Sequence, residues 1–397
     1  MVYLLALMVT LFFQYLSTKN PILISFVEVK ENRCLLYKKE FIIPILYRVL
    51  VFLPFFLVGA LRYNVGTDYG TYKSLQIPEV LSGNYSRVEF IYIPLIHILC
   101  GLLNNDQLFF AFIHLLIFGF TFLAIQKNSK NNYLSFVLLL LTGFFSMSIN
   151  IMRQSIATAI VLYGLKYLED KQYKHFLVFV FIACCFHKSA IVYLLFIMLY
   201  CLHFKMYVIP TTAIVCILFK DWIKSLFVFL ISFTPYKHYV INYWWTTQVT
   251  SLVMIMLNIF VLLVMYMILY INFDLFQYEY FKKPKLLFKS LVAFFKTKID
   301  DAKANFYIHI QITCTILSIC TSIIPNATRV VYLFIPFQIL TIPYFIENIK
   351  TRKSKVICTI LVIIAFSFMF YRYFVIRNWS ETFPYHSIFE TIMVILY

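Results

Sequence analysis

The chain has 397 residues, of which 62% are hydrophobic and 13% charged, against about 45–50% apolar and about 25% charged in an ordinary soluble domain. Thirty-four basic and seventeen acidic residues are too few to cover the surface of the roughly two or three soluble domains such a length would otherwise suggest. A soluble protein is excluded, and the mean hydropathy of +0.84 agrees. The net charge of +17 leaves nucleic acid or lipid headgroups as acidic partners, and the placement of the charge decides between them.

Taken in chain order, the apolar runs that predict membrane crossings are residues 2–16, 41–61, 107–125, 133–149, 152–167, 176–200, 207–219, 222–233, 250–273, 306–324, 330–346 and 356–374. Several reach the ~20 residues that a helix needs to traverse a hydrocarbon core about 30 Å thick. With the N-terminus outside, the loops between them place 23 of the 34 basic residues on the inner side. This is the positive-inside asymmetry, so the charge marks topology and contact with membrane lipids rather than nucleic acid. Segment 90–103 is apolar enough to cross, but a crossing there would put Lys127 and Lys130 outside and invert every later loop. It therefore reads as re-entrant or interfacial at the outer face. The expected fold is an all-α, polytopic integral membrane helix bundle of about twelve transmembrane helices, with short or re-entrant segments near the outer face. It forms one domain over residues 1–397, with an outer loop at 62–89 and a basic cytoplasmic loop at 274–305.

The first lysine is Lys19, so the opening apolar stretch lacks the basic start of a cleaved signal and reads as a retained span. The nine cysteines form no CxxC pair and mostly lie within apolar runs, as small buried residues do. In the inner loop, residues 281–298 carry six lysines and no acid beside eight leucine, valine and phenylalanine residues. That pattern suits either an amphipathic helix lying in the headgroup boundary or a solvated linker helix.

Ionisable residues inside or bordering a span are costly and become functional candidates by default. Arg62, Asp68, Arg87, Glu89, Arg153, Arg329 and Arg372 border the outer face, and His187 falls near mid-depth of the 176–200 segment. Arginines converging with few carboxylates suit a phosphate or pyrophosphate, because the guanidinium fork binds its oxygens in pairs. Border arginines can also merely snorkel to headgroups. The loop Arg62-Tyr63-Asn64-Val65-Gly66-Thr67-Asp68-Tyr69-Gly70-Thr71-Tyr72 holds two of the eight glycines beside an Asp and three tyrosines. Glycine supplies a tight turn, while Tyr69 and Tyr72 offer stacking and hydroxyl contacts to a sugar. Asp68 could act as a base or pair with an arginine to hold the loop.

Further on, Asn150-Ile151-Met152-Arg153-Gln154 gathers polar groups where a helix begins, so its free N–H groups add to Arg153 in holding an anion. Phe186-His187-Lys188-Ser189 interrupts an apolar span, and Asn326-Ala327-Thr328-Arg329 repeats the polar cluster ahead of an apolar helix. There is no P-loop, GxGxxG, GxSxG or HExxH motif, and no DxD or paired acids on the outer face, so neither a cofactor nor a metal is indicated.

Together these stretches resemble the EpsG-like family of bacterial exopolysaccharide polymerases, similar in role to Wzy-type polymerases. The resemblance rests on Arg62-(x)3-Gly66-Thr67-Asp68-Tyr69-(x)2-Tyr72, Glu89-Phe90, Asn150-(x)2-Arg153-Gln154-(x)-Ile156-Ala157, Phe186-His187-(x)-Ser189-Ala190 and Arg329-(x)2-Tyr332-Leu333-Phe334. After the outer loop this chain has Glu89-Phe90-Ile91-Tyr92 where a Glu-Pro-Gly type sequence is common in the family. The resemblance implies metal-independent glycosyl transfer between polyprenyl-diphosphate-linked oligosaccharide repeat units at the outer face of the bacterial inner membrane. It also implies chain-length regulator and export proteins as partners. The expected roles are Asp68, Glu89 or His187 as base, and Arg62, Tyr69, Tyr72, Arg153, Gln154, Arg329 and Arg372 as substrate-binding residues. A flippase for lipid-linked oligosaccharide and an O-antigen-ligase-like transferase are the other classes that could use such residues.

Overall fold

A computed structural model of the chain describes residues 1–20, 27–29, 32–34, 42–203, 207, 211, 215, 218–233, 252–272, 284–321 and 327–390. Lys205, Lys237, Asn326, most of the 207–219 segment and the 274–283 part of the basic loop lie outside these. The described elements are helices apart from one antiparallel ladder, β1 (Val27–Val29) with β2 (Asn32–Cys34). The helices are α1 (Val2–Lys19), α2 (Ile42–Ala60), α3 (Ile77–Leu81), α4 (Tyr92–Ile96), α5 (Asp106–Asn128), α6 (Asn132–Leu141), α7 (Phe144–Asn150), α8 (Met152–Glu169), α9 (Tyr173–Phe186) and α10 (Leu195–Cys201). They continue with α11 (Lys220–Ser232), α12 (Leu252–Asn272), α13 (Pro284–Lys296), α14 (Ala302–Cys320), α15 (Ala327–Phe334), α16 (Gln338–Glu347) and α17 (Arg352–Phe370).

Five described helical stretches are long and apolar enough to cross a membrane, or six if the bent pair α6–α7 is one span. The chain is a multi-pass membrane protein of helices. About twelve crossings is a larger number than length and composition alone support.

Hydrogen bonds sort the helix termini into two ends. At the basic end, Lys130 donates to Asn348, Asn131 to Glu347, Lys355 to Glu347 and Lys303 to Glu169. At the other end, Tyr3 donates to the Thr382 carbonyl, Gln107 to those of Ala60 and Arg62, and Gln154 to that of Arg329. We call this second end the site end. Side-chain caps begin α5, α6, α14 and α17, from Asn105, Asn131, Asp301 and Thr351, each satisfying an otherwise orphaned N–H. Segment 90–103 starts and finishes at the site end, where α4 and the turns after it lie against α3 and α5, with Phe90 and Leu102 facing outward.

One expected crossing is corrected. Residues 176–200 do not form a single span with His187 at mid-depth. The helix α9 stops at Phe186, His187 is extended (φ −157°, ψ 117°), and the chain returns through a 3₁₀ stretch, Lys188–Leu194, into α10. The rings of Tyr173 and Tyr200, at the two feet, lie 6.5 Å apart, and Tyr200 donates to the Glu169 carbonyl at 3.1 Å. The segment is thus a hairpin with His187 at its tip, on the site end.

The reversal at His187 moves the next stretch of chain as well. Asn305 donates to the Leu202 carbonyl and the Tyr207 amide to that of Phe295, so the chain leaves the hairpin at the basic end. Helix α12 finishes there too, where Asn272 donates to the Asn348 carbonyl, which puts Leu252 at the site end. The connection from Tyr207 to Leu252 therefore changes ends, whereas two crossings at 207–219 and 222–233 would have returned it. The helix expected in the basic loop forms as α13, with Leu286, Phe288, Leu291 and Val292 exposed and Phe294 packed against Tyr266 and Tyr270.

Helix α8 is the central strut, buried along most of its length between α5 and α9. Its small residues allow that closeness: a Cβ on Gly164 would lie 2.9 Å from that of Phe179. The α6–α7 pair bends by 50° at Gly143, whose φ of +78° and contact with the Phe374 ring exclude a side chain. That bend delivers Asn150 and the start of α8 to the site end.

Candidate functional site

The loop after α2 is built around Arg62. Its side chain is fully enclosed, donating from Nη1 to the Val65 carbonyl at 2.6 Å and from Nη2 to Met152 Sδ at 3.2 Å. Its guanidinium lies beside the stacked rings of Tyr69 and Phe110, 5.4 and 5.1 Å from their centroids, which are 4.8 Å apart, a desolvated cation–π contact. Burial pulls its pKa down to about 10, which leaves it charged at neutral pH. Gly66 follows with φ +99°, and any Cβ there would sit 2.6 Å from Asn150 Oδ1. Asn150 in turn accepts from the Thr67 hydroxyl at 3.1 Å and the Asp68 amide at 3.4 Å, and donates to the Ser380 carbonyl at 3.1 Å. Gly66 and Thr67 donate backbone bonds to the Glu381 and Ser380 carbonyls, so the chain after α17 straps this loop down.

Three of the candidates meet directly. Glu89 accepts from Arg153 Nη1 at 2.6 Å and bonds His187 Nδ1 at 3.0 Å, one partner on each carboxylate oxygen. Arg153 also donates to the Arg87 carbonyl at 2.7 Å, and the Tyr72 hydroxyl faces the same guanidinium. Burial opposes the charge on Glu89, but the His187 hydrogen bond and the Arg153 charge outweigh it and hold its pKa below the ordinary carboxylate value. Side-chain exposures of 10% for Glu89, 20% for Arg153 and 27% for His187 leave the cluster a narrow opening. Two buried hydroxyls near it, Tyr92 Oη and Ser189 Oγ, have no partner among the described residues, and Tyr92 lies within the field of Glu89 and Arg153.

Gln154 donates to the Arg329 carbonyl at 2.9 Å, so consecutive residues on the first turn of α8 carry one arginine and grip the backbone of another. The Arg329 side chain is exposed and meets no partner among the described residues. Helix α8 opens without a side-chain cap. Asp68 is half-buried beside Thr67, and among the described residues no hydrogen bond or ion pair joins Arg372 to the cluster. Tyr69 and Tyr72 are each 4% exposed, enclosed in the loop's packing rather than presented as open platforms. The contributions of Asn150, Tyr92 and the 380–388 strap were not foreseen. Only the polar run at Asn150 hinted at one of them.

The arrangement couples an imidazole to one arginine through a shared carboxylate, and holds the backbone of a second arginine at the same end of the bundle. No curated protein and no solved structure matches the chain. The EpsG family model matches residues 45–387, a stretch containing every residue of the cluster, and the chain belongs to the EpsG family.

Proposed function

We infer that this protein is a polysaccharide polymerase that joins polyprenyl-diphosphate-linked repeat units at the outer face of the bacterial cytoplasmic membrane. One observation supports the reading: Glu89 binds Arg153 and His187 at once, so that a guanidinium and an imidazole lie side by side on one carboxylate. The basic end then lies in the cytoplasm and the site end faces out. In glycosyl transfer an acceptor sugar hydroxyl attacks the anomeric carbon of the donor, and the bond from that carbon to the diphosphate oxygen breaks. Glu89 orients the imidazole through Nδ1, and Nε2 takes the hydroxyl proton. Arg153 keeps most of its fork for the departing diphosphate, with the exposed Arg329 beside it, stabilising charge as it develops. Arg62 then acts by positioning the loop and Met152, the neighbour of Arg153.

Deletion should leave single lipid-linked repeat units outside the membrane. Units held inside would indicate a flippase, and finished polymer left on lipid a ligase. Arg153→Lys keeps the charge but loses the fork, and polymer should fall by about 10²-fold or more at normal protein level. Wild-type chain lengths in that variant would sink the diphosphate role.

A further inference from the structure

At the basic end, the 13 residues of α13 form a helix about 20 Å long at ~1.5 Å per residue, and its side chains sort into three faces at about 100° per residue. Leu287, Ser290 and Phe294 share the first, which packs on α12. Ser290 meets the Tyr270 hydroxyl at 2.5 Å, and the Phe294 ring lies 5.4 Å from that of Tyr270 and 6.0 Å from that of Tyr266. The second face gathers Phe288, Leu291, Val292 and Phe295. Phe288 is 69% exposed and Leu291 and Val292 are 36% exposed, so the described residues leave this apolar face open. The third face, about a quarter turn further round, is a stripe of Lys285, Lys289 and Lys296. All three are exposed, and none has an ion pair or hydrogen bond among the described residues. The helix contains no acid.

The order of these faces separates the two forms that the lysine-rich loop could take. A solvated linker helix sets its polar side opposite its packed side and has no second apolar face to leave in water. A helix lying in the headgroup boundary has the arrangement seen in α13: an apolar face turned to the acyl chains, and lysines at its border whose stems run along apolar surface while the ammonium groups reach the phosphates. The depth fits as well. Tyr270 and Tyr266 precede the end of the membrane-spanning helix α12, Asn272, by two and six residues, or about 3 and 9 Å at ~1.5 Å per residue. Phe294 therefore packs just inside the end of a span, at the ~5–10 Å to which interfacial helices bury their apolar side.

We infer that α13 is a docking surface for acidic phospholipids of the leaflet at the basic end, with Phe288, Leu291 and Val292 among the acyl chains and Lys285, Lys289 and Lys296 against the headgroup phosphates. Three cations without a carboxylate select a lipid of net negative charge such as phosphatidylglycerol. Phosphatidylcholine brings its own quaternary ammonium, which competes with the lysines for its phosphate. Each lysine beside an anionic surface favours it about fivefold, so the stripe acts as a unit. The surface lies at the opposite end from the Glu89 cluster and does not depend on the function proposed for that cluster.

The test places the photoreactive residue benzoylphenylalanine at Phe288 of the full chain, an exposed aromatic position, and reads what it captures by mass. The same residue at Phe368, an exposed position on α17, serves as the reference. In vesicles of equal phosphatidylglycerol and phosphatidylcholine with matched acyl chains, position 288 should capture lipid, with the phosphatidylglycerol adduct severalfold in excess, whereas position 368 should capture the two alike. Replacing Lys285, Lys289 and Lys296 together with Gln should bring the ratio at 288 down to that at 368 while lipid capture continues. In intact cells the adduct at 288 should again be phospholipid. No lipid adduct at 288, a crosslinked second copy of the chain, or a captured protein in place of lipid in cells would each overturn the docking surface. Equal capture of the two lipids by the wild-type stripe, or an excess that survives the triple substitution, would overturn the headgroup role of the lysines.

Discussion

Glu89 is held between a guanidinium and an imidazole, and the balance on it sets a pH dependence. Burial alone would raise its pKa, yet His187 and Arg153 outweigh that and lower it below the ordinary 4.5. A carboxyl whose pKa is lowered on folding stabilises the fold above its unfolded value, and that contribution is lost as pH falls through the folded one. Wild-type stability should therefore decline below about pH 4.5, and Glu89→Gln, which cannot ionise, should flatten part of that decline in thermal melts at pH 6 and pH 4. In reconstituted vesicles the same variant should elongate lipid-linked repeats about 10²–10⁴ times more slowly, the usual worth of general-base chemistry. An acid limb identical to wild type would show that Glu89 does not carry the linkage. At this scale the sequence disclosed identities but not orientation. Arg62 and Arg153 both read as border arginines free to bind phosphate, yet Arg62 is walled in by Tyr69, Phe110 and Met152. Enclosure comes from residues remote in the chain, and no local pattern encodes it.

Elements bring the cluster together through two interruptions. The first is the α6–α7 bend, where Gly143 adopts φ +78° and a Cβ would stand 2.2 Å from Phe374 Cζ. Gly143→Ala should cost about 1–3 kcal/mol, read as a lower melting temperature, and should lower polymer yield by moving Asn150 and α8. Adding Phe374→Leu should recover part of the loss by opening space. A double variant no more stable than Gly143→Ala would mean that backbone strain alone is responsible. The second interruption is the hairpin tip. Its His-Lys-Ser break was visible in the sequence, but hydropathy is blind to direction. Two 14-residue arms joined at His187 read as one long span, and the pairing of Tyr173 with Tyr200 tells the two apart.

Across the whole molecule the lysine distribution was the most legible feature. Lys130, Lys303 and Lys355, assigned to one side by counting, gather at one end through bonds to Asn348, Glu169 and Glu347. The path between the ends was less legible, because the reversal at His187 moves the chain that follows α10 to the other end. Cys201, exposed at the foot of α10, reports on this. As the sole cysteine in intact cells it should resist a membrane-impermeant maleimide and react in inverted vesicles, while Tyr85→Cys in the outer loop should do the opposite. Labelling of both from outside would restore a single crossing at 176–200.

The hairpin also bears on how the protein is made. The first arm is about 21 Å long at ~1.5 Å per residue and the second, half of it 3₁₀ at ~2.0 Å per residue, about 24 Å; both fall short of a ~30 Å core, so neither is a competent insertion signal by itself and the two are expected to enter the bilayer as a pair. His187 is the turning point of that pair, and its partner Glu89 lies 98 residues earlier in the chain. A bundle that has taken in both arms therefore already holds the His187 imidazole at their tip, at the level of its Glu89 carboxylate.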